Sequence, residues 1–136
     1  MSRSAGPVLV DTSVWVKFFR TEGTPEGTLL KSLLAKATVA TCAPIRAEVI
    51  SGAPTQREFH RLRALFDALE LLRPPEDAWV RIEEHRFSLA RRGVQASLID
   101  LLIALTAQTH GVNLWTLDND FRSIASVIPV TFAAHH

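Results

Sequence analysis

The chain has 136 residues, of which 47% are hydrophobic and 21% charged, and a net charge of +1. This composition excludes a disordered chain, and no apolar run reaches the roughly 20 residues of a membrane span. We therefore expect one globular domain over residues 1–136, with a core from about 7 to 132 and no membrane association. The chain starts without the apolar core of a signal peptide, and Cys42 is its single cysteine, so a cytoplasmic location is expected.

An apolar strand is predicted at the beginning of the fold. It runs from Pro7 to Val10 and ends at Asp11, where a helix begins. An unbroken apolar strand is typical of the middle of a parallel sheet, and Asp11 would then lie at its C-terminal edge. The inward face of the helix is predicted to carry Val14, Trp15, Phe18 and Phe19.

A helix, a strand and a third helix are predicted next. The first begins near Pro25, the strand spans Thr38–Cys42, and the third helix runs from Pro44 to Gly52. On that third helix Glu48 shares a stripe with apolar residues, so we expect its side chain to point toward the core side.

Two more helices and a short strand are predicted between residues 55 and 92. The first helix covers 55–68, Leu69–Leu72 reads as a third strand, and a long helix runs from Pro75 to about Arg92. The long helix is expected to turn inward Trp79, Ile82, Leu89 and Ala90. Its arginines are expected to form a solvated face or, alternatively, to contact phosphates: Arg81, Arg86, Arg91 and Arg92.

Residues 96–121 are the centre of the predicted fold. Ser97 begins an almost entirely apolar helix to His110, with Asp100 in its first turn, and such a helix must be enclosed by other elements. A strand over Val112–Thr116 then leads into a turn, and this turn contains Asp118 and Asp120.

A short helix after Phe121 and a strand over Val127–Phe132 complete the prediction, with Pro129 placing that strand at the sheet edge. The fold class is therefore α/β, with a parallel sheet of about five strands sandwiched between helices. His135 and His136 are not counted as site residues.

Each acid has an ordinary structural explanation, because Asp11 fits a helix N-cap, Ser97 and Asp100 fit a capping box, and Asp118 to Asp120 fit a turn. Their combination indicates more, since the C-terminal edge of parallel strands is where ligands bind in such sheets. Carboxylates gathered there repel one another unless cations bridge them, and oxygen ligands suit Mg²⁺ or Mn²⁺.

The charge distribution agrees with a polyanionic substrate. If the five acids Asp11, Glu48, Asp100, Asp118 and Asp120 share one site, the other nine acids face 15 basic residues, a difference of +6. An acidic site in a basic shell favours a metal-dependent enzyme that acts on a polyanion, although a surface of mixed, solvated charge is the alternative.

Four segments in this order resemble the PIN-domain ribonucleases, and among them the small VapC toxins of VapBC-type toxin–antitoxin modules. They are Val8–Trp15, Ala47–Val49, Asp100–Ala104 and Thr116–Phe121. Each segment alone is unspecific, but their order and spacing in a chain of this length are specific.

The resemblance implies a single PIN-like domain and a Mg²⁺-dependent endoribonuclease, with Mn²⁺ able to substitute, that leaves a 5′-phosphate and a 3′-hydroxyl. It implies a homodimer silenced by a cognate, DNA-binding, VapB-like antitoxin. The acids it assigns to metal binding and catalysis are Asp11, Glu48, Asp100 and Asp118, with Asp120 as a further metal ligand. The polar residues it assigns to their support are Thr12, Ser13 and Thr116.

Two other functions remain open from the sequence. One is a PIN-like module that binds RNA without cutting it, although the complete set of acids counts against it. The other is a phosphoacceptor signalling domain, which also has aspartates at strand ends. Here, however, no second acid adjoins Asp11 and no lysine follows the last strands.

Overall fold

The computed structural model describes residues 6–133; His135 and His136, set aside above, lie outside this range. Within it, two helices follow each of the first three strands, in the order that the sequence predicted. The strands are β1 (Val8–Val10), β2 (Val39–Thr41), β3 (Glu70–Leu71) and β4 (Asn113–Trp115). The helices are α1 (Thr12–Arg20), α2 (Pro25–Ala35), α3 (Ala43–Ser51), α4 (Gln56–Asp67), α5 (Ala78–Arg91), α6 (Leu98–His110) and α7 (Asp120–Ile124).

The sheet is parallel, with the strand order β3-β2-β1-β4. β1 lies in its interior, where Leu9 and Val10 are fully buried, as its unbroken apolar run predicted. Val10 is in register with Trp115 of β4. The residues that follow β1 and β4 therefore emerge side by side at one edge of the sheet.

The predicted fifth strand over Val127–Phe132 is not formed. Phe132 makes a single parallel bridge to Leu114, with Leu114 N–H donating to the Thr131 carbonyl at 2.9 Å. Pro129 has no N–H to donate to a ladder, which shortens the pairing to this one bridge at the edge. The sheet thus has four strands, and the α/β class is confirmed.

Helix α6 is the central packing element. Every residue from Leu101 to Ala107 is buried, as the absence of a polar face required. The Ser97 hydroxyl accepts a hydrogen bond from Asp100 N–H at 3.0 Å and caps the helix, and Gly111 ends it in the left-handed conformation, φ 65°. Asp100 thereby lies one turn inside the start of a rigid, buried helix.

Helix α5 packs on α6 with a different face from the one predicted. Ile82 and Leu89 are buried as expected, but Trp79 is 53% exposed and Ala90 is also exposed. The buried stripe passes through Ala78 instead, so the helix is rotated and Trp79 lies roughly 80° from the centre of the stripe. Among residues 6–133, no helix combines the length and apolarity that crossing a membrane requires.

Candidate metal centre

Asp11 and Thr116 are brought together by the register of β1 and β4. The backbone N–H of Asp11 donates to the carbonyl of Trp115 at 2.9 Å, which extends the ladder by one step beyond the strands. Since both strands end there, the chain after each of them turns outward at the same point. This is the edge at which the sequence predicted a site.

The carboxylate of Asp11 is buried and strongly hydrogen bonded. Its Oδ2 accepts from Ser13 Oγ at 2.8 Å, from Thr116 Oγ1 at 2.8 Å and, weakly, from Ser13 N–H at 3.4 Å. Only 6% of Asp11 is exposed. Within residues 6–133, all three of these hydrogen bonds reach Oδ2 and none reaches Oδ1. The N-cap role and a metal-binding role are therefore compatible.

The two hydroxyls that hold Asp11 also hold the loop after β4. Thr116 Oγ1 accepts from Asp118 N–H at 3.0 Å, and Ser13 Oγ accepts from Leu117 N–H at 3.0 Å. The two hydroxyl oxygens are 3.3 Å apart. Each hydroxyl donates to Asp11 and accepts from the loop, so the position of Asp118 is coupled to that of Asp11.

Asp100, Asp118 and Asp120 form a group that we call the acidic triad. Each offers a carboxylate oxygen, and these three oxygens lie within 4.8 Å of one another. Asp100 is half-buried, while Asp118 and Asp120 are exposed. Asp118 Oδ1 also accepts from Asp120 N–H at 3.0 Å, which closes the turn between them.

The electrostatic effect of this gathering is visible at Asp100. Its pKa is raised to about 6, first by burial and then by the negative charges of Asp11 and Asp118. The Ser97 hydrogen bond opposes this rise, and Asp120 adds to it. Asp11, although outside the triad, is therefore close enough for its charge to act on Asp100.

Glu48 lies apart from the triad. Its side chain is exposed rather than directed to the core side, which corrects the prediction from its stripe on α3. It is linked to the site through Thr12, whose Oγ1 donates to Glu48 Oε1 at 2.9 Å. Thr12 is in α1 and follows Asp11 directly, so this hydrogen bond connects Glu48, on α3, to the Asp11 side of the site.

The triad suits a hard divalent cation. Oxygens on opposite sides of a Mg²⁺ ion are separated by about 4.2 Å, given its metal–oxygen distance of about 2.1 Å. The spacing of the triad is of that size, and no ion pair within residues 6–133 neutralises its carboxylates. The donor set thus fits Mg²⁺ or Mn²⁺.

The three arginines of α5, and Arg92 directly after it, all make contacts within the chain. Arg81 donates to Gln108 Oε1 at 2.8 Å, Arg86 to the Ala96 carbonyl at 3.1 Å, and Arg92 to Ser126 Oγ at 3.1 Å. Arg91 lies over the ring of Phe87, 4.7 Å from its centroid. These contacts give each arginine a structural role, and phosphate binding by them stays a prediction.

A cavity beside Glu48 was not anticipated from the sequence. It has a volume of about 460 Å³ and lies between α1, α3 and α4. Phe19, predicted to point inward, is 39% exposed and lines this cavity. Helical spacing places Phe19 on the same face of α1 as the buried Val14 and Trp15. It does not show that the last turn of the helix leaves Phe19 partly exposed.

Comparison with known proteins agrees with the fold. A model of the PIN domain family matches residues 8–127, and the chain belongs to this family. It is 33% identical over 124 residues to ribonuclease VapC11 of Mycobacterium tuberculosis, covering 88% of this chain and 92% of that protein.

Two solved structures show the same fold. The complex VapBC2 of Rickettsia felis, bound to a DNA fragment from its promoter, contains a chain that matches with a TM-score of 0.70 and 20% identity. That match covers 93% of this chain and 96% of the other. VapBC-1 of nontypeable Haemophilus influenzae matches with a TM-score of 0.72 and 16% identity, over the same shares of the two chains.

Proposed function

We propose that the chain is a Mg²⁺-dependent endoribonuclease and the toxin of a VapBC-type toxin–antitoxin module. The single observation that carries this proposal is the acidic triad, which lies at the C-terminal sheet edge beside a buried Asp11. Family membership and the identity to ribonuclease VapC11 support it. A phosphoacceptor domain is disfavoured, because the match to the PIN family covers most of the chain.

The residues divide into ligands and supports. Asp100, Asp118 and Asp120 would hold the ion, and Asp11 and Glu48 would complete the acidic set around it. Once bound, Mg²⁺ would activate a water molecule for in-line attack on the phosphodiester and neutralise charge on the phosphate. Ser13 and Thr116 hold the Asp11 carboxylate and the Asp118 loop in one fixed relation.

The partners we propose follow the same relatives. The chain would form a homodimer, cleave RNA in the cytoplasm, and be silenced by a cognate VapB-like antitoxin that also binds DNA. The complex from Rickettsia felis, bound to promoter DNA, supports the antitoxin assignment. Of Arg81, Arg86, Arg91 and Arg92, the last three are exposed, so we propose these three as the better candidates for phosphate contact.

Asp100→Asn tests the proposal. The substitution keeps the shape of the side chain but removes a charge that the ion needs. Since loss of an outer-shell partner already costs about 10- to 100-fold, we expect RNA cleavage to fall by at least about 100-fold. Cleavage is measured on end-labelled RNA, and the new 5′ ends are sequenced.

Asp77→Asn is the matched control, because Asp77 is an exposed acid at the start of α5 whose side chain makes no cap hydrogen bond. Excess chelator should stop cleavage by the wild type, Mg²⁺ or Mn²⁺ should restore it, and Ca²⁺ should restore it poorly. Near-wild-type cleavage by Asp100→Asn would reject the assignment. RNA binding without any cleavage by the wild type would favour the non-cutting module.

A further inference from the structure

The cavity beside Glu48 has the composition of a site for a small, flat ligand. Its volume of about 460 Å³ lies in the range of small-molecule sites. The apolar part of its wall comes from Val16, Val49 and Leu62, whereas Arg20 and Arg61 contribute guanidinium groups. A mostly apolar wall with a few charged groups is typical of sites that bind an aromatic ring carrying polar edges.

The cavity meets the proposed metal centre at one residue, Glu48. Glu48 lines it and also accepts the hydrogen bond from Thr12, the residue next to Asp11. An RNA strand that extends from the metal centre past Glu48 would pass over this cavity. Sharing this acid sets it apart from the second cavity, between α5 and the start of α6, which is lined by Trp79 and Phe87 and does not include any of the acids of the site.

Phe19 provides a stacking surface in this cavity. Its ring lies nearly parallel to that of Trp15, with an angle of 19° and centroids 5.9 Å apart. Trp15 is fully buried and also contacts Phe66, so the ring of Phe19 is supported from the core while 39% of the residue stays exposed. A ring fixed in this way is suited to stack against a base.

The two arginines and two glutamates that line the cavity sum to zero formal charge, so attraction to an anionic strand would come from Arg20. Arg61 is held by Glu58, with its Nε 3.0 Å from both carboxylate oxygens, so its charge is already compensated. Arg20 forms no ion pair within residues 6–133 and lies next to Phe19. A stacking ring followed by an uncompensated cation is the combination that single-stranded nucleic acid requires.

We propose that this cavity binds the base of a nucleotide next to the scissile phosphate, with Phe19 stacking on the base and Arg20 contacting the backbone. The inference rests on the proposed ribonuclease activity and deepens it. The cavity then determines which RNA sequences are cut, because the base that enters it must fit between Phe19 and the wall formed by α3 and α4.

A fluorescent RNA tests the stacking without requiring cleavage. A single-stranded oligonucleotide carries 2-aminopurine next to a mapped cut site, and Ca²⁺ replaces Mg²⁺ so that little is cut. Wild-type protein should quench the fluorescence through stacking. Phe19→Leu, which keeps the apolar contact with Trp15, should lose most of the quench and bind about tenfold more weakly. Phe19→Tyr, which keeps an aromatic ring, should retain the fluorescence quench and the wild-type affinity.

Trp79→Leu is the matched control, since Trp79 is an exposed aromatic residue at the other cavity, and it should behave as the wild type. Thermal melting of each variant verifies that it folds. In Mg²⁺, Phe19→Leu should also change the distribution of cut sites, whereas Trp79→Leu should not.

Equal quenching and equal affinity in wild type and Phe19→Leu would overturn the proposal. If that variant instead lost binding to the antitoxin while its RNA behaviour stayed unchanged, the cavity would be a groove for a protein chain, which equally overturns it. Failure of the wild type to cut RNA in Mg²⁺ is a separate result that rejects the proposed function, and it is detected earlier, when the cut site is mapped for the design of the oligonucleotide.

Discussion

The two sides of the acidic site are held in different ways. On the β1 side, Asp11 is buried and its Oδ2 accepts three hydrogen bonds from Ser13 and Thr116. On the other side, the three carboxylates of the acidic triad approach one another with no ion pair to any cation within residues 6–133. One side is a hydrogen-bonded scaffold, and the other is a group of like charges.

The two sides of the site therefore depend on different interactions: hydrogen bonds fix the position of Asp11, whereas charge repulsion governs the acidic triad. A carboxylate that accepts hydrogen bonds is stabilised by the protein itself, whereas neighbouring carboxylates without such support destabilise the fold when they are ionised. A bound cation should therefore act on stability mainly through the triad. Changes to Ser13 or Thr116 should act mainly on the positions of Asp11 and Asp118, and so on activity.

Metal binding should give the largest change in stability. Mg²⁺ at about 100 times its dissociation constant should stabilise the protein by about 2.7 kcal/mol, a rise of several degrees in the melting temperature for a domain of this size. Asp100→Asn should melt at the same or a higher temperature than the wild type without metal, because one repelling charge is gone, and should lose most of the response. Scanning calorimetry with and without Mg²⁺ measures both effects.

The opposite pattern would return Asp100 to a purely capping role. The Ser97 side-chain hydrogen bond, which lowers the pKa of Asp100, and the helix dipole both favour an ionised aspartate in the first turn of α6. If capping were the only role of Asp100, Asp100→Asn would melt slightly lower and would respond to Mg²⁺ as strongly as the wild type. Asp77→Asn again serves as the control.

Thr116→Val should affect activity more than stability. The variant keeps the shape of the side chain but removes a hydroxyl that donates to Asp11 and accepts from Asp118 N–H. We expect cleavage to fall about 10- to 100-fold and stability to fall by about 1–2 kcal/mol. Cleavage rates and urea unfolding measure the two.

Thr131→Val is the control for Thr116→Val, because Thr131 is exposed and makes no side-chain hydrogen bond within residues 6–133. The comparison between the two sides of the site would fail if Thr116→Val lost stability but kept full activity. Thr116 would then hold the loop without setting the catalytic geometry.

The sequence predicted the structure correctly where a local pattern is compatible with only one arrangement. The run Leu101–Ala107 has no polar face and is buried throughout. Asp11 and the residues after β4 also met at one edge, because parallel strands must end on the same side. In both cases local pattern and sheet geometry require the same result.

The sequence was a poor guide where side-chain direction depended on packing. Helical spacing identified a stripe on α5, but not the rotation that leaves Trp79 exposed. Glu48 is on an apolar stripe, yet its carboxylate bonds to Thr12 on a neighbouring helix instead of pointing to the core side. The cavity at Phe19 needs three helices to form, so no local pattern predicts it.

The pH dependence of stability should give the smallest and most specific effect. Burial, followed by the charges of Asp11 and Asp118, raises the pKa of Asp100 from 3.8 to about 6. The folded state thus favours the protonated carboxyl. Its contribution to stability is complete below about pH 3.8 and is lost as the pH rises through about 6. Because Asp100 is only half-buried, we expect about 1–2 kcal/mol after allowing for solvent screening.

Urea unfolding in chelator, from pH 4.5 to 7.5, gives the free energy of unfolding of wild type and Asp100→Asn. The difference between the two proteins is the pH-dependent contribution of Asp100. Other carboxylates titrate in both proteins and cancel in that difference. The wild type should lose stability relative to the variant as the pH rises, and Mg²⁺ should abolish the loss, since the ion favours the ionised triad. If the difference in the free energy of unfolding were constant with pH, folding would not raise the pKa of Asp100. The contrast between the hydrogen-bonded side and the charged side of the site would then disappear.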